Sequence, residues 1–215
     1  ATEGVMPQTR EHFEICRMLG VRHGLIALTK SDLVDGDGLD LARADVNALI
    51  QGSFLANAPV IPVSSRTGAG IGRLRGALVA LAGQLENRSV SGSFRLPIDR
   101  AFVMKGFGTV VTGTVFDGRA EPDQSLMLLP SGKPVRVRGI QVHGQPAREA
   151  HRGQRAALNL TGIDAADLHR GETLVAPDAY RLTREFNAQL EMLPSAPALP
   201  PLHPVHLHMG TTSSV

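Results

Sequence analysis

Lys30-Ser31-Asp32 follows an apolar run, Leu25-Ile26-Ala27-Leu28. A Lys-x-Asp in that position lies where a parallel strand stops. That is where an open α/β sheet binds its ligand. The pair suits guanine. A carboxylate such as Asp32 accepts two hydrogen bonds from the guanine edge, from N1–H and from the exocyclic amine, and adenine offers no such pair. The methylene stem of Lys30 can lie along the purine face. A second apolar run, Val60-Ile61-Pro62-Val63, leads into Ser64-Ser65-Arg66-Thr67-Gly68. Each loop follows an apolar run.

The elements that position these loops follow from periodicity. Ile15, Cys16 and Leu19, with His12, recur at helical spacing from Thr9 to Leu19, and Gly20 closes the pattern. Cys16 lies on the apolar face of this helix and is expected to pack in the core. Asp35-Gly36-Asp37-Gly38 is expected to be a loop. It has no Glu at the calcium-loop spacing, so no metal is assigned there. Helices are expected over 41–54 and 71–85. A small, polar stretch over 87–93 is a linker by composition. After it the period changes to two. Runs flanking Lys105-Gly106-Phe107-Gly108 signal a hairpin, and short strands follow at regular spacing to Val175. That pattern is a small antiparallel barrel. Strand-like runs recur at 185–192 and 203–209.

Composition narrows the class. The chain has 215 residues, 42% of them hydrophobic and 4% aromatic, with no Trp, so its cores are aliphatic. A net charge of +2 without charge blocks confines any nucleic-acid contact to a local patch. Lys105, Arg136, Arg138 and Arg148 are candidates for it. The single Cys excludes an internal disulfide and fits a reducing, cytoplasmic setting. No run of eighteen apolar residues implies a membrane partner, and no signal-peptide pattern opens the chain. His206 and His208 share a strand face near His203, but no third ligand completes a metal set. The 215 residues contain no G-x-x-x-x-G-K-[ST] loop and no Asp-x-x-Gly ahead of the first helix. These are the segments that hold the β- and γ-phosphates and Mg²⁺. An internal fragment is therefore expected, with no catalytic residue of its own.

The order of helix, strand with Lys-x-Asp, helix, strand with Ser-Ser, helix resembles the second half of a translation-factor GTPase domain. Gln8–His12 fits the same pattern. By that resemblance Thr29, Lys30 and Asp32 read guanine, and Ser64-Ser65-Arg66 touches its O6 through backbone N–H. Thr29 stands where the family usually has Asn, a residue that also braces the phosphate loop.

Within that family, the barrel resembles domain 2 of the bacterial selenocysteine-specific elongation factors. The resemblance rests on Ile98-Asp99-Arg100-Ala101-Phe102, Lys105 to Gly113, Gly139 to His143, and Gly153 to Leu160. It implies the C-terminal half of a GTPase α/β domain over 1–86 and a domain 2 β-barrel over 94–178. The start of a second, truncated β-barrel follows over 179–215. It further implies a GTPase that uses GTP/GDP and Mg²⁺ when intact, though the fragment alone is expected to be inactive and to hold no cofactor. The implied partners are selenocysteyl-tRNA, the ribosome at a recoded UGA codon, and an mRNA hairpin read by a C-terminal extension. By the same resemblance the aminoacyl group is expected between the GTPase domain and the barrel. Asp99, Arg100 and Arg155 match the proposed selenocysteine contacts.

The residue chemistry is compatible. A selenol is largely ionised at neutral pH, and two guanidinium groups receive such an anion while an Asp orients one of them. Adjacent strand residues point to opposite faces, so Asp99 and Arg100 line one surface only at a bulge or a strand end. A carrier like elongation factor Tu and a non-catalytic RNA-binding barrel remain the alternatives.

Overall fold

The computed structural model describes residues 1–84, 92–192 and 196–214. The chain divides into two units, Ala1–Asn87 and Arg88–Val215. Most of the expected linker, residues 87–91, lies outside the described residues.

In the first unit, helix α1 (Pro7–Met18) precedes strand β1 (Ile26–Leu28), helix α2 (Gly36–Ile50), strand β2 (Val60–Pro62) and helix α3 (Ile71–Gly83). β1 and β2 pair in parallel, with Ile26 opposite Val60 and Leu28 opposite Pro62. Pro7 opens α1, where its missing N–H costs nothing. The stripe expected to be buried on α1 is not. Cys16, Ile15 and Leu19 are exposed. The helix turns Phe13 inward instead, and that ring stacks on Phe54 at 5.6 Å between centroids. The aromatic contact sets the helix face, and Cys16, one turn along it, lines the groove beside Phe13 and Phe54 but stays exposed.

The expected loop at 35–38 is the start of α2. Asp35 is its N-cap, and its side chain accepts from Gly38 N–H at 2.8 Å. The two glycines masked a sound capping signal. The helix stops at Ile50, and Ser53 and Phe54 belong to the turn that follows. α3 ends at Gly83, and residue 85 of the expected helix is not among the described residues. Among the described residues, Leu28, Ala42, Ile50, Ile61 and Val63 are the buried apolar residues of this unit.

The second unit contains strands β3 (Arg95–Met104), β4 (Gly108–Thr114), β5 (Arg119–Ala120), β6 (Ser125–Leu129), β7 (Lys133–Val142), β8 (Gln145–Ala147), β9 (Ala150–His151), β10 (Arg155–Thr161) and β11 (Thr173–Val175). The sheet runs β10-β4-β3-β11-β6-β7-β8, and β10 also pairs β7, which closes a barrel. Closure removes the open edges that would otherwise pair with other chains. β10 shows why its sequence makes a barrel strand. Ala156, Leu158 and Leu160 are buried while Arg155, Ala157 and Asn159 face outward. Leu96, Ile98, Val111, Leu126, Leu158 and Leu174 fill the interior. Each such side chain contributes roughly 1.5–3 kcal/mol by leaving water.

Beyond β11, Tyr180 ties the exit of the barrel to its entry. Its hydroxyl donates to Ser93 O at 2.9 Å. The Arg95 guanidinium lies 5.0 Å from the Phe116 ring and 5.8 Å from the Tyr180 ring. The strand expected at 185–192 does not form, because no described segment pairs with it and a lone strand leaves its backbone groups unbonded. Residues 193–195 are not described. The run at 203–209 is a strand only in its last part. β12 (Leu207–Met209) pairs with β13 (Thr212–Ser214) as a hairpin. Among the described residues no helix is long and apolar enough to cross a membrane.

Candidate functional site

The first candidate site is built from the ends of β1 and β2. Val63 N–H donates to Leu28 O at 2.9 Å, and Ser31 N–H donates to Val63 O at 3.2 Å. These bonds lock the Lys-x-Asp loop to the Ser-Ser loop. Thr29 and Lys30 are exposed just past β1. Lys30 adopts the left-handed region at φ 56°, which is uncommon away from glycine. This sharp turn starts a short 3₁₀ segment, Ser31–Leu33, and carries Asp32 back beneath the second loop.

Ser64 is fully buried there, and Ser65 is exposed. The Ser64 hydroxyl accepts Thr67 N–H at 3.1 Å, and Gly68 N–H donates to Ser64 O at 3.0 Å. The Ser65 and Arg66 N–H groups donate to no acceptor among the described residues, which leaves two donors free at the loop tip. Gly70 is required for this turn. Its φ is +73°, and a Cβ there would stand 2.0 Å from Pro62 O.

Asp32 is only 13% exposed, and Arg66 Nε donates to its Oδ2 at 3.0 Å. The Ser64 hydroxyl beside it lowers the carboxyl below the ordinary 3.8. Burial opposes this, and the Asp32 backbone and the Arg66 charge reinforce it. Arg66 thus plays a part the sequence reading missed. Its side chain, not only its backbone, faces the Asp32 carboxylate.

The second candidate site stands on the barrel. β3 and β4 pair with Ile98 opposite Gly113 and Arg100 opposite Thr112. One residue, Asp99, is extra. That β-bulge is the condition under which Asp99 and Arg100 can share a surface. Gly113 makes room for it, since a Cβ there would lie 2.3 Å from Pro97 O. The Asp99 carboxylate is gripped from two sides. Arg155 donates through Nη1 to Oδ2 at 2.5 Å and through Nη2 to Oδ1 at 3.2 Å. Thr112 Oγ1 donates to Oδ1 at 2.7 Å.

Burial alone would push the Asp99 carboxyl up. The hydrogen bonds from Arg155 and Thr112, with the charges of Arg155 and Arg100, outweigh that and hold it below 3.8. The Asp99 hydrogen bonds raise the Arg155 guanidinium in turn. Arg100 is exposed and forms no ion pair with a described residue. The sequence reading missed Thr112. The Lys105–Gly108 turn fixes the hairpin register and could have placed it.

The charged set is one end of a longer surface. Arg155, Ala157 and Asn159 share the outer face of β10 by the two-residue repeat. Thr112 and Val110 lie opposite Ala157 and Asn159 on β4. Arg100 and Phe102 lie opposite Thr112 and Val110 on β3. Further along this face is a cavity of ≈ 350 Å³, lined among others by Phe102, Met104, Phe107, Val110, Ile140 and Asn159. Asn159 Oδ1 is buried there and accepts no hydrogen bond from a described residue. Arg138 also lines the cavity, whereas Arg136 is engaged with Asp123 at 3.0 Å. The His206 and His208 rings stack at 6.5 Å. No three His, Cys, Asp or Glu among the described residues gather to hold a metal.

Comparison with known proteins agrees with both halves. The model of the elongation factor Tu GTP binding domain matches residues 1–84, and that of elongation factor Tu domain 2 matches residues 108–175. The selenocysteine-specific elongation factor of Desulfomicrobium baculatum is 45% identical over 212 residues, covering 98% of this chain and 33% of that protein. The crystal structure of a bacterial selenocysteine-specific elongation factor, EF-Sec, superposes with a TM-score of 0.77 at 35% identity, covering 83% of this chain and 31% of that one. The elongation factor SelB of Methanococcus maripaludis, in complex with the GTP analogue GPPNHP, gives a TM-score of 0.76 at 31% identity, covering 82% and 39%. The chain spans about a third of the length of the Desulfomicrobium relative (33%).

Proposed function

The chain belongs to the translation-factor GTPase family, and on that premise we propose that it is part of a GTP-dependent elongation factor that delivers selenocysteyl-tRNA to the ribosome at recoded UGA codons. The observation that carries this reading is the Asp99 bulge. It sets Arg100 and Arg155 at one end of a barrel face whose other end is an apolar cavity.

An acylated nucleotide end fits such a face. The acyl side chain meets the guanidinium groups, and the terminal base enters the cavity two or three positions along the strands. One two-residue step along a strand is roughly 6.5–7 Å. The division of labour between the arginines follows from their contacts. Arg155 is committed to Asp99 and is held rigid by it. Arg100 pairs with no described residue and makes the closer approach to a selenolate. Serine in that place would leave the guanidinium groups desolvated without an anion, which is costly.

The first site serves the nucleotide. Asp32 accepts from the guanine edge, the Ser65 and Arg66 N–H groups are free for O6, and the Lys30 stem covers the ring. When bound, GTP supplies the hydrolysis that makes delivery irreversible. The contacts to its phosphates and Mg²⁺ are assigned to the two thirds of the relatives' length that this chain does not span. Such a factor works in the cytoplasm, with charged tRNA and ribosomes.

The test is the ratio of dissociation constants for selenocysteyl-tRNA and seryl-tRNA in the full-length protein. Two charge-assisted contacts at roughly 1.5–3 kcal/mol each set the ceiling of discrimination. Arg100→Ala should lower the ratio by roughly tenfold or more. An equal loss for both tRNAs would mean that Arg100 binds backbone or phosphate, as in a general tRNA carrier.

A further inference from the structure

The bulge that aims Asp99 and Arg100 begins at Ile98, and the carbonyl of Ile98 is held from outside its own strand pair. Gly171 N–H donates to Ile98 O at 3.2 Å. Thr211 Oγ1 donates to the same oxygen at 2.6 Å across 113 residues of sequence. Thr211 lies in the turn of the β12–β13 hairpin. That turn is pressed onto the barrel at two further points. A Cβ on Gly210 would stand 2.9 Å from Pro97 Cγ, and a Cβ on Gly171 would stand 2.9 Å from Thr212 Cβ. A side chain at either glycine would force the contact to shift, and both have positive φ, +59° and +102°.

We propose that Thr211 is a positioning residue for the side-chain pocket: its hydroxyl anchors the Ile98 carbonyl and so fixes the bulge that presents Asp99 to Arg155. The consequence for tRNA choice rests on the function proposed above. The physical reason is local. A bulge interrupts the ladder and leaves backbone groups free to re-aim. Ile98 N–H donates to Glu172 O at 2.8 Å, so Ile98 faces the segment that leads into β11, and its carbonyl at the edge of the bulge takes both Gly171 and Thr211 as donors. Without the Thr211 donor the carbonyl keeps Gly171 and is not orphaned, so the strand persists. What is lost is the second direction of restraint on the peptide that leads into Asp99. The Asp99 carboxylate then meets Arg155 and Thr112 less well, and Arg100 is no longer held beside them.

Thr211→Val removes the donor at constant shape, and Thr211→Ser keeps it. Two readouts are taken. The first is the titration of the Asp99 carboxyl by ¹³C NMR in the 215-residue chain. The second is the selenocysteyl-to-seryl affinity ratio in the full-length protein, with Arg155→Ala as reference. Thr211→Val should move the Asp99 titration toward the ordinary carboxylate value and lower the ratio about threefold to tenfold, the range of one neutral hydrogen bond. Thr211→Ser should restore both. An unchanged Asp99 titration in Thr211→Val, or a Ser variant that behaves like Val, overturns the proposal. If Arg155→Ala leaves the ratio unchanged, the selenocysteine reading fails, and the Asp99 titration alone still decides the role of Thr211.

Discussion

Arg155 meets Asp99 fork to fork, Nη1 on Oδ2 and Nη2 on Oδ1, across strands that are not themselves neighbours: β4 lies between them. The link is part of what makes the outer face one rigid piece. A lysine at 155 would be a point charge and could not bond both oxygens in that plane. Arg155→Lys should therefore behave much like Arg155→Ala in tRNA discrimination, although the formal charge is kept. The affinity ratio for the two charged tRNAs checks this. A fully retained ratio in the lysine variant would show that charge alone suffices.

Acid should act on the same contact with a defined sign. The Asp99 carboxyl is depressed in the folded chain. A depressed group stabilises above its unfolded value and loses that contribution as pH falls through the folded one. The stability difference between wild type and Asp99→Asn should hold steady at neutral pH. It should shrink only below the ordinary 3.8. Denaturant melts of both chains across the acid range measure it. A difference that closes well above that value would contradict the depressed titration.

The sequence carried the two loops, the barrel and the hairpin turn because each rests on local chemistry. Leu25–Leu28 and Val60–Val63 are apolar runs bounded by turn residues, and Arg155–Leu160 alternates cleanly. What it hid depends on distant partners. Phe13 faces inward because Phe54 is there to meet it, and no periodicity within α1 reveals that. The run at 185–192 has strand composition but no described partner. Asp35 is a good N-cap residue, but Gly36 and Gly38 beside it have turn composition, and only the folded helix shows which prevails. The sequence stated the need for a bulge at Asp99 without locating its supports, Gly113 across the ladder and Thr211 far along the chain.

Gly113 gives a stability test of that bulge. Its missing Cβ is replaced in space by Pro97 O and the Leu96 side chain, at 2.3 and 2.6 Å from where a Cβ would stand. The first neighbour is backbone and cannot swing aside. Gly113→Ala should cost about 1–3 kcal/mol, in the range of overpacked cores. Urea denaturation reads the shift directly. A neutral result would mean that the β3–β4 ladder yields more easily than its buried neighbours suggest.

Base choice should rest on Asp32. In Asp32→Asn one acceptor becomes a donor facing the guanine donors. Charge-assisted bonds are worth roughly 1.5–3 kcal/mol each. Xanthine carries a carbonyl where guanine has its amine, so the variant of the full-length protein should shift toward xanthosine nucleotides by tenfold or more, an order of magnitude per ~1.4 kcal/mol. Competition between the two nucleotides measures it. An unchanged preference for guanine would place the base-reading loop elsewhere.

Arg66 separates two roles that its position in the loop confounds. Its backbone N–H donates to no described acceptor and is the proposed donor to guanine O6, while its side chain occupies Asp32. The Arg66 side chain is 76% exposed. A solvated pair of this kind is worth about 0–1 kcal/mol. On the proposed guanine reading the base must displace it to reach the carboxylate, so the side chain should compete with the ligand instead of binding it. Arg66→Ala keeps the backbone donor and removes the competitor. Guanine nucleotide affinity of the full-length protein should therefore stay level or rise by up to about fivefold, the equivalent of 1 kcal/mol. The preference for guanine over xanthine should not change, because Asp32 is intact. Calorimetry with GDP distinguishes the outcomes. A loss of tenfold or more would show that the Arg66 side chain turns outward on binding and contacts the nucleotide, and the competitive role would fall.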